Sequence, residues 1–360
     1  MLFLPGLELC RRFYEEVVRP LLAQHFPQLS YAAARIGPGS DVTGFDTAMS
    51  MDHDWGPGLQ LFLREQDASL IPEIDERLRT DLPYTFAGFP VHFAAGPGET
   101  TMLATTTGPV NHRVALLTVR AFCQDRLAYD SQHPLTVAHW LTIPSQELLE
   151  MTTGAVYHDG VGELTALRSE LAWYPHDIWL YLLAAGWQRI GQEEHVMPRA
   201  GSVGDELGSA LVGSRLVHDI MSLCFLLERR YAPYAKWFGT AFKRLACVGE
   251  LSPVLWRAQI AQTWQEREAA LSEAYSLLAH MHNALDLTEP LPENVSHFYD
   301  RPFLVIHAEA FTQALLSQIN DPAVKRVAQR KTIGNIDQFS DNTDLRSYAS
   351  WRPILRGLYT

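Results

Sequence analysis

Gly39-Ser40-Asp41-Val42-Thr43-Gly44-Phe45-Asp46-Thr47-Ala48-Met49-Ser50-Met51-Asp52-His53-Asp54-Trp55-Gly56 is a polar, glycine-rich stretch that runs into the apolar Leu59-Gln60-Leu61-Phe62-Leu63. It reads as a loop that delivers two carboxylates onto a strand. Successive strand side chains point to opposite faces, so Asp52 and Asp54 are expected to share one face while His53 points away. Two carboxylates converging in a partly desolvated site repel one another unless a cation neutralises them, and hard oxygen ligands favour Mg²⁺ or Mn²⁺. Gly39 permits close backbone approach, and the Ser40 hydroxyl with neighbouring amides suits phosphate oxygens. Asp-x-Asp by itself is common in solvated turns; the Gly-Ser pair twelve positions upstream and the strand that follows give it weight. The spacing of a calcium-binding loop with its terminal glutamate is missing.

Working outward, residues 6 to 25 place Leu7, Leu9, Phe13, Val17, Leu21 and Leu22 near a helical period. A short strand is expected from Ser30 to Ile36, a helix from Ser69 to Leu82, and a further strand over Tyr84-Thr85-Phe86-Ala87-Gly88-Phe89-Pro90-Val91-His92-Phe93. That last stretch contains no acid and carries His92. From about Val110 the pattern is almost wholly helical, with segments expected at 110–129, 174–198, 205–231, 252–283 and 296–318 among others. Prolines punctuate their starts. The expected fold class is α+β: a mixed sheet flanked by helices over 1–108, then a mostly α-helical domain over 109–360 that supplies substrate contacts.

The chain has 360 residues, is 47% hydrophobic, and carries a formal charge of -12. Such a balance disfavours nucleic acid as a partner, because polyanion binding draws on clustered cations. No apolar run reaches the ~20 residues of a membrane span, and the N-terminus lacks the basic and apolar regions of a signal peptide. No membrane partner and a cytoplasmic location are therefore expected. Cys10, Cys123, Cys224 and Cys247 are scattered, which argues against zinc ribbons and disulfide frameworks and suggests core thiols.

In the second half, Arg229-Arg230-Tyr231-Ala232-Pro233-Tyr234-Ala235-Lys236-Trp237-Phe238 combines cations with aromatic faces suited to a nucleobase and its phosphates. Lys236 is the favoured phosphate ligand, with Tyr234 beside it. A proline-broken hairpin of core aromatics explains the same residues nearly as well. Arg215 and Asp219 stand i, i+4 apart, and Arg215 is a second phosphate candidate. His218 could assist proton transfer; His176 and Asp177 are more simply read as capping residues and Gln192, Glu193 and Glu194 as solvated ones, while His282-Asn283 and Tyr299-Asp300-Arg301-Pro302-Phe303 are weaker candidates.

The Gly39-Ser40 to Asp52-His53-Asp54 pattern resembles the signature of the nucleotidyltransferase superfamily. The longer strings Asp52 to Pro57, Gly204-Asp205-Glu206-Leu207-Gly208-Ser209, Arg215-Leu216-Val217, Glu228 to Tyr234, Lys236 to Thr240 and Arg301-Pro302-Phe303 resemble the bacterial proteins grouped as domain of unknown function 4037. The resemblance implies a nucleotidyltransferase-like sheet domain followed by a helical domain, with the cleft between them and with Asp52 and Asp54 as metal ligands and catalytic acids. The chemistry expected is transfer of a nucleoside monophosphate from a nucleoside triphosphate to a hydroxyl of a small-molecule acceptor, with Mg²⁺ or Mn²⁺ as cofactor. Gly39 and Ser40 would hold phosphates, while Arg215 and Lys236 would neutralise charge. The resemblance also implies a third carboxylate on the next long strand, where His92 stands instead and for which Asp46 or Glu99 are the alternatives; its absence keeps open an inactive nucleotide- or ligand-binding regulatory module, and an enzyme that modifies protein hydroxyls is a further possibility.

Overall fold

The computed structural model describes residues 3–51, 53–94, 101–330 and 332–360, so Asp52 and Glu99 lie outside the described residues. Two compact units emerge: residues 1–134 with 147–172, and residues 135–146 with 173–360.

The first unit is built on a four-stranded mixed sheet. Its strands are β1 (Tyr31–Arg35), β2 (Gly58–Leu63), β5 (Arg113–Thr118) and β6 (Ala155–Asp159), in the order β5-β2-β1-β6. β1 runs antiparallel to both β2 and β6, and β2 runs parallel to β5. Every residue of β1 is buried, and small Ala32, Ala33 and Ala34 let both covering layers approach closely. On one face, Ala33, Leu59, Leu61 and Leu63 pack with Leu9, Phe13, Val18 and Leu22 of the N-terminal helix and with Ile74 and Leu78 of helix Ile71–Asp81. On the other, Phe62 meets Phe122 of helix Val119–Leu127 edge-on at 5.4 Å. Each fully buried leucine or phenylalanine here contributes ~1.5–3 kcal/mol of transfer free energy.

The expected 84–93 strand is instead a small separate hairpin, β3 (Thr85–Phe86) and β4 (Phe89–Pro90). Ala87 and Gly88 turn it with φ of 49° and 84°, the two left-handed positions that a tight hairpin requires. The strand that does lie beside β2 is β5, which the sequence reading absorbs into a helix over 110–129. Two of the four sheet strands thus follow residue 108, so the sheet unit extends beyond the expected 1–108 domain.

Among the described residues, the regular structure of the second unit is helical apart from a hairpin of two short strands, β7 (Ser296–His297) and β8 (Leu304–Val305). Helix His176–Glu193 packs against helices Glu206–Leu227 and Ala308–Gln318. Gly186 permits the first of these approaches, since a Cβ there would stand 2.9 Å from Leu223. Fully buried Trp187 stacks on Phe311 at 4.1 Å and donates its Nε1 proton to His282 Nδ1 at 3.2 Å. The expected 252–283 helix is two helices, Val248–Ile260 and Trp264–Asn283, because Thr263 and Glu266 form a capping box that starts the second. Helix Glu206–Leu227 is long and apolar enough to cross a membrane by composition alone. It packs within this unit and carries Asp219, bonded to Arg189. Cys10, Cys123 and Cys224 are buried and Cys247 is partly so, all as free thiols. The fold class is the expected one: a mixed sheet with flanking helices, then a mostly helical region.

Candidate functional site

The Gly39-Ser40 turn leaves the end of β1 and is fastened from below. Arg35, the last residue of β1, is 5% exposed and grips Asp41, 4% exposed, through two parallel bonds of 2.7 and 2.8 Å. Its Nη2 also donates to Pro38 O at 3.2 Å, so one guanidinium holds both ends of the turn. Burial works against the charge of Arg35, but Asp41 foremost, with Cys10 and Tyr157, raises the guanidinium pKa on balance. Gly39 is needed at its position: its φ is 148°, and a Cβ would stand 2.2 Å from Asp41 Oδ1 and 2.5 Å from Arg35 Nη2. Ser40 O accepts from Phe45 N at 2.8 Å, while the half-buried Ser40 hydroxyl has no hydrogen-bond partner among the described residues.

Asp54 does not lie on a strand. It is exposed, sits in a bend with φ of 50°, and precedes the start of β2 at Gly58. The strand-face argument for an Asp52/Asp54 pair is therefore corrected for Asp54, and Asp52 lies outside the described residues. The reason is local. Pro57 has no N–H to give a ladder, Gly56 turns the chain with φ of 132°, and the β1–β2 register ends at Ala34 opposite Gln60. Beyond that point the Gln60 side chain replaces a backbone partner, exchanging bonds of 3.1 and 2.9 Å with Ile36 N and O. Trp55, 2% exposed, anchors the bend in the core, edge-on to Phe89 at 5.0 Å.

Arg113, the first residue of β5 and the register partner of Gly58, is the cation that sequence reasoning missed. Burial pulls its guanidinium pKa down to about 10; nearby Arg35 adds to this, and Asp41 and Asp54 oppose it. A half-buried Arg113 thus lies within electrostatic reach of both aspartates. The signals were available: a lone arginine ends the buried Ala-Ala-Ala strand, and another opens the apolar Val114-Ala115-Leu116-Leu117 run.

Two further acids of this unit are committed elsewhere. Asp46 accepts from Gly6 N at 2.7 Å, and Asp159 at the end of β6 caps the next helix through Gly162 N and Thr165 N. His92 accepts from Asn111 N at 3.0 Å. Among the described residues no group of three metal-ligating side chains converges.

In the helical unit, Arg215 does not pair with Asp219. Its guanidinium reaches Glu193 at 2.5 Å, while buried Asp219 faces helix His176–Glu193 and takes Arg189 at 3.1 Å. Lys236 is exposed on helix Ala235–Phe242, its ammonium 5.1 Å from the Trp237 ring centre, and makes no ion pair among the described residues. Tyr234 is 41% exposed, and its backbone N donates to Gln146 at 2.8 Å. Much of the surrounding aromatic segment is core: Tyr231 packs with Trp173 at 4.8 Å and Tyr174 at 5.1 Å. Glu194 receives Ile306 N at 2.7 Å and Ala308 N at 3.2 Å at a helix start, and Asp177 receives Asn320 N at 2.6 Å. Both are structural caps.

Residues 140–238 match the family described as "Domain of unknown function (DUF4037)". The matched segment includes Arg215, Tyr234 and Lys236 and leaves out Gly39, Ser40, Asp52 and Asp54. The chain is also similar, at 13% identity and a TM-score of 0.30, to a solved structure described as a nucleotidyltransferase-like protein from Exiguobacterium sibiricum 255-15, with 77% of this chain and 78% of that chain covered. None of the curated proteins matches.

Proposed function

With a DUF4037 match over residues 140–238 as the starting point, we propose that this protein is a Mg²⁺-dependent nucleotidyltransferase that moves a nucleoside monophosphate from a nucleoside triphosphate to a hydroxyl of a small-molecule acceptor. The observation that carries the reading is the Gly39-Ser40 turn, clamped by the buried Arg35–Asp41 pair, with a Ser40 hydroxyl that has no partner among the described residues and Arg113 within electrostatic reach of Asp54. Ser40 Oγ and the turn amides would hold phosphate oxygens, and Arg113 would offset their charge. Asp54, with Asp52, would hold the ion. Bound there, Mg²⁺ would stabilise charge building on the phosphoryl oxygens. The acceptor oxygen forms a bond to the α-phosphorus as the bond to pyrophosphate breaks, and the hydroxyl proton passes to Asp52 or Asp54. Lys236 and Arg215 are proposed as further phosphate contacts.

A second reading has a specific observation in its favour. Arg113 opens the strand parallel to β2, where a third carboxylate would help to hold metal, and β5 carries no acid. A fixed cation lowers the need for a divalent ion, which favours a nucleotide-binding module without turnover. Calorimetric titration with each nucleoside triphosphate, with and without Mg²⁺, paired with a pyrophosphate-release assay, separates the two. Mg²⁺-dependent release that Asp54→Asn abolishes supports the enzyme. Binding without release supports the module, and absence of binding contradicts both.

A further inference from the structure

An open pocket of about 600 Å³ in the helical unit is lined by His195, Arg199, Phe298, Tyr299, Asp300 and Arg301. Two elements build it. His195 stands at the N-cap position of helix Val196–Ser202, and Arg199 lies one turn further along. Residues 298–303 form the loop between β7 and β8, closed by Phe298 N donating to Phe303 O at 2.8 Å and Arg301 N donating to Phe298 O at 3.1 Å. The His195 ring stacks on Phe298 with centres 4.5 Å apart and planes 18° apart, and Phe298 meets Tyr299 edge-on at 4.8 Å.

Three features of this pocket are unfavourable for the isolated fold. Tyr299 is 82% exposed, so a large ring stands in water. Its φ of 57° is left-handed, a conformation that a residue with a Cβ disfavours and that clusters at ligand clamps. Arg199 and Arg301 are exposed and form no ion pair among the described residues, even though Asp300 lies beside them. The one polar contact of Arg199 within the pocket is a long one, 3.5 Å from Nη1 to His195 Nδ1. Burial, then Arg199, and to a smaller extent Arg301, lower the His195 pKa, which favours the neutral imidazole.

We infer that this pocket binds a mononucleotide, its base against the rings of Tyr299 and Phe298 and its phosphate between Arg199 and Arg301. Guanidinium groups match phosphate with two parallel hydrogen bonds. Aromatic faces take any base by stacking. Asp300 supplies an acceptor for a ribose hydroxyl or a base amino group, and the volume lies in the range of small-ligand pockets. A long single strand is the less favoured occupant, because the chain carries a charge of -12. The site belongs to the helical unit and does not depend on the Gly39-to-Asp54 reading.

The test is calorimetric titration of the full chain with AMP and GMP in EDTA, which silences any site that needs a divalent ion. Adenosine and inorganic phosphate are run alongside. Arg199→Gln/Arg301→Gln removes both cations from exposed positions, and Tyr299→Gly removes the ring while suiting the left-handed backbone, so neither variant threatens folding. The expected result is that AMP or GMP binds, that both variants weaken it by at least about tenfold, that adenosine and phosphate each bind more weakly, and that Asp54→Asn is without effect. Failure of both nucleotides to bind, or equal affinity in the arginine variant, overturns the inference. Binding that appears only when Mg²⁺ replaces EDTA, and that Asp54→Asn removes, would assign the nucleotide to the Gly39-to-Asp54 loop and overturn this site while sparing that one. A single strand of about twelve nucleotides that binds more tightly than AMP would make the pocket a nucleic-acid contact instead.

Discussion

Replacing Gly39 with alanine strikes the clamp beneath the proposed phosphate turn. The new Cβ would stand 2.2 Å from Asp41 Oδ1 and 2.5 Å from Arg35 Nη2, both atoms of a buried ion pair. Neither group has room to retreat, since the pair is nine-tenths or more buried and Arg35 also holds Pro38 O. Separating such a pair leaves an uncompensated buried charge, which costs ~3–5 kcal/mol. Hydrogen exchange of the β1 amides reads this locally, and a loss of that size accelerates exchange by roughly a hundredfold to several thousandfold. Gly88→Ala is the control: its φ is 84° but nothing lies within 4 Å of the added atom, so it carries only the left-handed backbone cost of ~1–2 kcal/mol. A loss for Gly39→Ala no greater than for Gly88→Ala would refute the steric reasoning and with it the view that Gly39 serves the clamp.

Further tests concern buried charge. Arg126 donates to Glu147 and Glu150 at 2.7 Å each, with both carboxylates buried. Arg126→Met should destabilise the sheet unit by ~3–5 kcal/mol, and adding Glu147→Gln with Glu150→Gln should recover much of it in urea unfolding. Burial lowers the His282 pKa to about 4, and neutral Nδ1 accepts the Trp187 proton. The unfolded chain takes up a proton below pH ~6.5 that the native state refuses, so this contribution to stability is present above that pH and is lost as pH falls toward 4, on the order of 3 kcal/mol in all. His282→Gln should remove that slope from a stability-versus-pH series. Glu194 runs the other way: burial raises its pKa to about 7, so its contribution is present below pH ~4.5 and is lost as pH rises through 7. Glu194→Gln should therefore steepen the rise in stability between pH 5 and 7, and an unchanged slope would contradict the assignment. Of the four thiols, Cys247 should react first with a disulfide reagent in the native protein, because burial raises the pKa of Cys10 to about 11 and of Cys123 to about 12.

The fold was legible where a periodic apolar pattern acted alone. The N-terminal amphipathic helix, β1, β2 and the long helices of the second unit stand close to their expected positions because burial of one face dictates each. β5 was not legible, since Arg113-Val114-Ala115-Leu116-Leu117-Thr118 runs without a break into helix Val119–Leu127 and a short apolar run fits either period. β6 escaped because Ala155-Val156-Tyr157-His158-Asp159 is only five residues between glycines. At the candidate site, Gly39 and Ser40 stand at the turn expected of them. Asp54 departs because Gly56 and Pro57 postpone the ladder to Gly58. The expected Arg215–Asp219 pair failed because tertiary partners on a neighbouring helix outcompeted a pair worth a few tenths of a kcal/mol. The Arg35–Asp41 clamp and Arg113 depend on contacts between distant strands, which no local spacing encodes.

Binding of Mn²⁺ and a nucleoside triphosphate together, followed by electron paramagnetic resonance, tests the proposed function most directly. The expected result is a ternary complex of protein, Mn²⁺ and nucleotide in the unaltered chain that Asp54→Asn removes while the circular dichroism spectrum stays the same. Equal formation of that complex by Asp54→Asn, or none in the unaltered chain, would contradict it.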